Sequence, residues 1–273
     1  METFNQQGNK SRGVDVLIDK RELLEKARER KLNLGMIEKD YVLGWLLFGF
    51  SKTKLVFKGG TALSKIYFPE IWRLSEDLDF SFRGNFDKIK MEEILKIVEK
   101  KSGIKFKLKS EYRNPEYLQL KIQYQALLGK NWIKVDVTKE KVIITPAEKA
   151  MKKMYSDYPD FDVNVMQLEE IFAEKLRALL ERKKSKDYYD IWRMLSLKFD
   201  GGMIRKLFLE KCKIKGIEIE EASIFPENLE DILKPYWEKE LSRLVYPIPD
   251  LRKVINDLKN KLTFLDFRYQ TKK

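Results

Sequence analysis

The stretch VFKGGTALSKIYFPEIWRLSEDLDFSF, Val56 to Phe82, decides how the chain is read. A β-branched and aromatic run, Lys54 to Lys58, reads as a strand that ends in Gly59-Gly60-Thr61. A short helix follows, expected over Thr61 to Tyr67. Asp77 to Phe82 then alternates with period two, so it is a second strand. Asp77, Asp79 and Ser81 share one face of it; Leu78, Phe80 and Phe82 share the other. Acids at i and i+2 lie roughly 7 Å apart along a strand. Asp is disfavoured in strands, and two like charges on one face repel. A bound divalent cation removes that cost. The plainer alternative is an amphipathic strand whose wet face carries Asp, with Glu76 in a surface charge cluster. The glycines admit two readings as well. Backbone N–H groups at a glycine turn that opens a helix can cradle an anion, with Thr61 adding a hydroxyl; otherwise the pair makes a tight turn. The Gly-x4-Gly-Lys-[Ser/Thr] spacing of a P-loop is absent.

A second strand bears on the choice. In WIKVDVT, Trp132 to Thr138, Ile133, Val135 and Val137 form the apolar face. Lys134, Asp136 and Thr138 are left opposite. If the two strands neighbour each other, Asp136 joins Asp77 and Asp79, and three acids on one polar face suit a hard cation, Mg²⁺ or Mn²⁺, of the phosphoryl-transfer type.

Outward from this centre, residues 1–13 are polar and expected to fray. Amphipathic and buried helices are expected over Asp19–Leu32 and Met36–Ser51, a further helix over Phe86–Lys101, and alternating strands in IKFKLKS, YLQLKIQYQA and WIKVDVT. After Pro146 the pattern turns helical: Leu168–Arg182, Lys186–Leu197, Met203–Lys213, Leu229–Val245 and Pro249–Leu265. Ser156–Asn164, rich in turn formers, reads as a linker. The expected fold is α+β: a mixed β-sheet domain with flanking helices over 1–155, then a helical domain over 156–273.

Composition narrows the chemistry. The 273 residues contain 55 Lys and Arg against 43 Asp and Glu, a net charge of +12 that favours an anionic partner such as RNA, DNA or a nucleotide. There is no histidine. Ser-His-Asp and Cys-His catalysis, His-ligated zinc and a His general base are therefore excluded. Catalysis must rest on carboxylates, lysines, hydroxyls and a hard metal. Cys212 is the single cysteine, so no intrachain disulfide forms. The longest apolar run, Tyr41 to Phe50, is half of the roughly 20 residues that span a bilayer. A cytoplasmic protein without a membrane partner is expected.

Lys175 is the anomaly of the helical half. Leu168, Ile171, Phe172, Leu176 and Leu179 form an apolar stripe, and Lys175 falls near its middle. Either its ammonium snorkels to a rim, in which case Lys175→Met is neutral or stabilising and keeps activity, or the helix faces a cleft where Lys175 meets phosphate oxygens, in which case the same change leaves or raises the melting temperature and loses activity. On the next helix Asp187 reads as an N-cap or first-turn acid, or as part of that cleft. Asp190 is placed to pair with Lys175 or Arg177 and orient them.

Together EKDYVLGWLL (38–47), FKGGTALSKIY (57–67), RLSEDLDFSF (73–82), EEIFAEKLRALLER (169–182) and KDYYDIW (186–192) resemble the AbiEii/AbiGii toxin family of the polymerase-β-like nucleotidyltransferase superfamily. The resemblance covers roughly Ile37 to Met194. It implies a Mg²⁺-dependent nucleotidyltransferase toxin that uses an NTP and is paired with a separate transcriptional-regulator antitoxin. Relatives of the MenT group add nucleotides to tRNA 3′ ends, so an RNA acceptor, tRNA first, is expected. Asp77 and Asp79 match the metal-binding pair, with Asp136 as third carboxylate. Lys175 matches the family's essential helix lysine and Asp190 its late aspartate. The nucleotide would be held by Lys58, Gly59, Gly60, Thr61, Lys65, Ser75, Lys175 and Asp187. The superfamily's usual Gly-Ser is Gly59-Gly60 here, which leaves the hydroxyl to Thr61. Rival readings are a protein-modifying nucleotidyltransferase and a nucleotide- or RNA-binding protein without turnover. A metal-dependent nuclease fits less well, because Lys175 lies on a helix.

Overall fold

A computed structural model describes residues 18–70 and 73–266, so the frayed segment expected at 1–13 lies outside the described residues. The strands are β1 (Val56–Lys58), β2 (Asp77–Ser81), β3 (Lys105–Arg113), β4 (Tyr117–Ala126), β5 (Gly129–Thr138), β6 (Ala147–Ala150) and β7 (Asp162–Val165). They form one sheet in the order β3-β4-β5-β2-β1-β7-β6. β2 runs parallel to β5 and β1 parallel to β7; the other neighbours are antiparallel. The fold is α+β.

Alternation builds the long strands. Leu118, Leu120, Ile122 and Tyr124 of β4 and Ile133, Val135 and Val137 of β5 are all buried. Helices α1 (Lys20–Arg30), α2 (Leu34–Phe50) and α4 (Met91–Ser102) belong to this half, and α2 and α4 cover the apolar side of the sheet. Asp19 caps α1, its side chain accepting from the Arg21 N–H. α2 is enclosed from Ile37 to Phe50, its charged residues Glu38, Lys39 and Asp40 included. Each of the three has a partner: Glu38 accepts from Leu128 N, Lys39 faces Glu76, and Asp40 binds Lys65. The helix after the glycines, α3 (Gly59–Ala62), begins two residues earlier than expected and continues as a π-turn over Leu63–Tyr67. The helix expected from Phe86 is broken by extended Ile89 into a 3₁₀ turn, Phe86–Lys88, and α4.

The stretch expected to be a linker is not one. Asp162–Val165 is β7, paired with β6 on one side and β1 on the other. The sheet therefore runs past the boundary expected at residue 155. Val163 and Val165 point inward and are buried. Two inward residues are too short a period to stand out after the turn at Tyr155–Tyr158 and the Pro159 and Asp160 that follow it.

The helical part comprises α5 (Leu168–Glu181), α6 (Ser185–Met194), α7 (Gly201–Lys215), α8 (Glu221–Ile224), α9 (Leu229–Leu241) and α10 (Leu251–Lys261). α5 packs on α6, α7 and α8, and α6 packs on α9 and α10. Among the described residues no helix is long and apolar enough to cross a membrane.

Candidate active site

Strand β2 lies between β1 and β5, and register decides what meets. Asp79 is the Cα partner of Asp136, and Asp77 of Lys134. The three acids expected on one polar face thus stand on neighbouring strands. Burial, then the charges of Asp136 and Asp77, pushes the Asp79 carboxyl up to about 6. Burial also raises Asp77, against the pull of Lys134, Lys39 and Lys186. Asp136 is engaged at both oxygens. Its Oδ1 accepts from Tyr117 Oη at 2.7 Å and Gln119 Nε2 at 3.0 Å, and its Oδ2 lies 2.7 Å from Lys134 Nζ.

Among the described residues no set of three or more acid, cysteine or histidine groups converges at metal-binding separation. The donor chemistry nonetheless fits a hard cation. Two carboxylates share a strand face, and one of them is raised by burial and then by its acidic neighbours, a cost that a cation would relieve. Asp77 and Asp79 are the residues that could hold one; Asp136, already bonded on both oxygens, would be the weaker ligand.

The glycine turn presses against this group. Gly59 has φ +77°, and a Cβ there would come within 2.4 Å of Asp79 Oδ2. A Cβ at Gly60 would meet Arg73 Nη2 at 3.0 Å and Ser75 Oγ at 3.4 Å. The Ser75 hydroxyl thus lies beside Gly60. Thr61, expected to offer its hydroxyl, is fully buried and donates it to the Asp77 carbonyl, so it holds β2 in place instead.

Lys65 is not brought to the carboxylates. It is fully enclosed, with Nζ 2.6 Å from Asp40 Oδ2 and donating to the Asp40 carbonyl at 2.8 Å. The α3 turn carries it to the side that packs on α2. Lys58, buried at the end of β1, lies 3.2 Å from Glu174 and 3.6 Å from Glu140. Burial opposes its charge, yet Glu174 and Glu140 raise its pKa.

Lys175 does not snorkel. Its Nζ sits 3.0 Å from Asp187 Oδ1 and 2.9 Å from Asp190 Oδ2. Burial works against the ammonium, and these two carboxylates overcome it and raise the pKa. Lys58 is the cross-strand partner of Asp79, and the charges of Lys58 and Lys175 both pull the Asp79 carboxyl down against its burial. Asp187 also accepts from Arg182 Nε at 2.8 Å. Burial would raise Asp187, but Lys175 and Arg182 bring it down to about 2. Arg177, the other candidate partner of Asp190, pairs with Glu140 at 3.2 Å.

Arg73 carries no periodic signal, and sequence reading passes over it. Its guanidinium grips Asp190 in a two-pronged pair, Nε–Oδ1 and Nη2–Oδ2 both 2.8 Å, wholly buried. This joins the segment before β2 to α6. Glu76 adds a second tie. It lies 3.1 Å from Lys186, 3.1 Å from Arg243 and 4.0 Å from Lys39, so it is a junction of three elements and not a loose surface acid. Leu74 N donates to the Leu244 carbonyl at 2.8 Å, which brings the end of α9 to the same place.

Residues 44–263 match the family described as "Nucleotidyl transferase AbiEii toxin, Type IV TA system". Among solved structures, the nucleotidyltransferase toxin MenT4 of Mycobacterium tuberculosis is similar at 21% identity and TM-score 0.68, over 91% of this chain and 89% of that one. A putative nucleotidyltransferase of Helicobacter pylori is similar at 16% identity and TM-score 0.59, over 86% and 96%. Protein JHP933 of Helicobacter pylori is similar at 17% identity and TM-score 0.60, over 88% and 97%. No curated protein matches the chain.

Proposed function

The chain belongs to the AbiEii nucleotidyl transferase toxin family of type IV toxin–antitoxin systems, and from that premise we propose that it transfers a nucleotide from an NTP to the 3′-hydroxyl of an RNA, tRNA being the first candidate. The observation that carries this reading is the meeting of Gly59 with Asp79, and of Asp79 with Asp136, on adjacent strands. Gly59, Gly60 and Ser75 line the place where the triphosphate would lie. Lys175 and Lys58 offset its charge.

In the reaction the acceptor oxygen forms a bond to the α-phosphorus and the α–β bridging bond breaks. Pyrophosphate leaves, and the hydroxyl proton passes to a carboxylate of the face, Asp136 being the one opposite Asp79. Asp77 and Asp79 would hold a divalent cation, Mg²⁺ or Mn²⁺, which would supply charge neutralisation on the phosphates. Asp190 and Asp187 position Lys175, and Arg73 fixes Asp190. Catalysis of this kind is mostly positioning and electrostatics. A separate antitoxin is the partner that the family implies.

The test is incubation with each labelled NTP, a divalent cation and total RNA. Label should enter a tRNA-sized band with the wild type and be absent with Asp79→Asn. Label on a protein band would replace the RNA acceptor with a protein one.

A further inference from the structure

The half of the sheet beyond the carboxylates has an unusual outer face. Cross-strand register places Asp136 opposite Gln119 and Gln119 opposite Tyr112; Lys134 opposite Lys121; and Trp132 opposite Gln123, which faces Lys107. All these residues share the side of the sheet away from buried Ile133, Val135, Leu120 and Ile122. A polar outer face is ordinary for an antiparallel sheet. Two large aromatic side chains on it are not: Trp132 is 42% exposed and Tyr112 59%. Cations are interleaved with them. Lys121 Nζ stands 4.3 Å from the Trp132 ring centroid. Lys39 Nζ stands 5.2 Å from that ring and 4.0 Å from Glu76, the neighbour of Asp77. The aromatic therefore adjoins the catalytic face, four residues up β5 from Asp136, or roughly 13 Å along the strand.

We infer that this outer face of β3, β4 and β5 is a binding platform for the single-stranded end of the acceptor RNA, with bases stacking on Trp132 and Tyr112 and phosphates meeting Lys121, Lys107 and Lys134. This rests on the RNA-acceptor reading above and adds where the strand lies. Single-stranded nucleic acid is the occupant that the chemistry selects. Exposed rings take up unpaired bases whatever their sequence, and lysines beside them track the backbone. A duplex, whose bases are already stacked, gains nothing from the rings. The face also leads straight to Asp136, so a strand lying on it delivers its terminus to the carboxylates.

The test is fluorescence anisotropy with a labelled oligoadenylate of about twelve nucleotides, in EDTA and without NTP, so that no turnover intervenes. Wild type should bind it. Trp132→Ala should weaken binding by about five- to hundredfold, with Tyr112→Ala weaker in effect and Trp132→Phe retaining most of the affinity. Lys121→Gln should flatten the log–log salt slope by about 0.7. Thermal unfolding would show that each variant is folded, as expected for exposed positions. Wild-type affinity in both Trp132→Ala and Tyr112→Ala would overturn the platform and leave the RNA-acceptor reading standing. Failure of the wild type to bind either the oligonucleotide or tRNA would overturn that reading and the platform with it.

Discussion

Asp79 and Asp136 stand level with each other on parallel strands β2 and β5. Distant in the sequence, they are brought together by strand pairing, and burial, then the Asp136 charge, leaves Asp79 reluctant to ionise. A fold that places two carboxylates so close spends stability on the arrangement. Asp79→Asn should therefore abolish nucleotide transfer and raise the melting temperature in metal-free buffer at neutral pH, by about 1–3 kcal/mol of stability. Thermal scans in EDTA check this; a lowered melting temperature would contradict the electrostatic account.

The pH dependence follows with its sign. The Asp79 pKa is raised from an ordinary 3.8 to about 6. Protonation thus favours the folded state. That contribution is complete below about pH 4 and lost as pH rises through 6. A divalent cation competes with the same proton. The rise in melting temperature on adding Mg²⁺ should be present at about pH 7.5, fall by half near pH 6 and vanish at about pH 5. A metal effect that ignores pH over this range would remove Asp79 from the ligand set.

Lys175 bears on stability as well as chemistry. Both sequence readings of Lys175 leave the melting temperature of Lys175→Met unchanged or raised, but the ammonium is clasped by Asp187 and Asp190. Removing it leaves two buried carboxylates with only Arg182 and Arg73 to answer them. The variant should lose roughly 3 kcal/mol of stability and about 10²–10³ in rate. Denaturant titration and single-turnover kinetics separate the two losses.

Gly59→Ala should be costly for two reasons that act together. The left-handed φ of +77° disfavours any side chain, and the new Cβ collides with Asp79. A loss of at least about 2 kcal/mol and of the Mg²⁺ response is expected. Gly129, at φ +120° in the β4–β5 turn with open space around it, is the control. Gly129→Ala should bring backbone strain alone and keep the metal response.

Lys65 separates structure from binding. Its ion pair with Asp40 is enclosed beneath α3. Lys65→Met should destabilise by about 3–5 kcal/mol, the cost of stranding a buried charge. In a Lys65→Met, Asp40→Leu double variant much of that loss should return, with nucleotide affinity unchanged by equilibrium binding.

Much of the site was readable because it obeys short periods. The alternation of DLDFSF and WIKVDVT alone puts Asp77, Asp79 and Asp136 on polar faces, and β2 and β5 carry them there. That the two strands are neighbours was not readable, since pairing between distant segments is decided by the whole sheet. The same holds for Arg73 and Asp190, whose contact spans 117 positions. Lys65 misled because a lysine after a glycine turn looks like a phosphate ligand, while the side of α3 on which it falls depends on α2. Strand β7 was missed because four residues hold too little pattern to outweigh the turn formers before them.

The place of β7 in the sheet has a consequence for how the protein is made. Strand β1, which delivers the glycine turn, has β7 as its outer neighbour, and Arg73 waits for Asp190. Both completing pieces leave the ribosome long after the aspartates do. A copy that ends before β7 would carry all three acids with the β1 edge open and without Lys175. Completion of the site is thereby tied to the finished polypeptide.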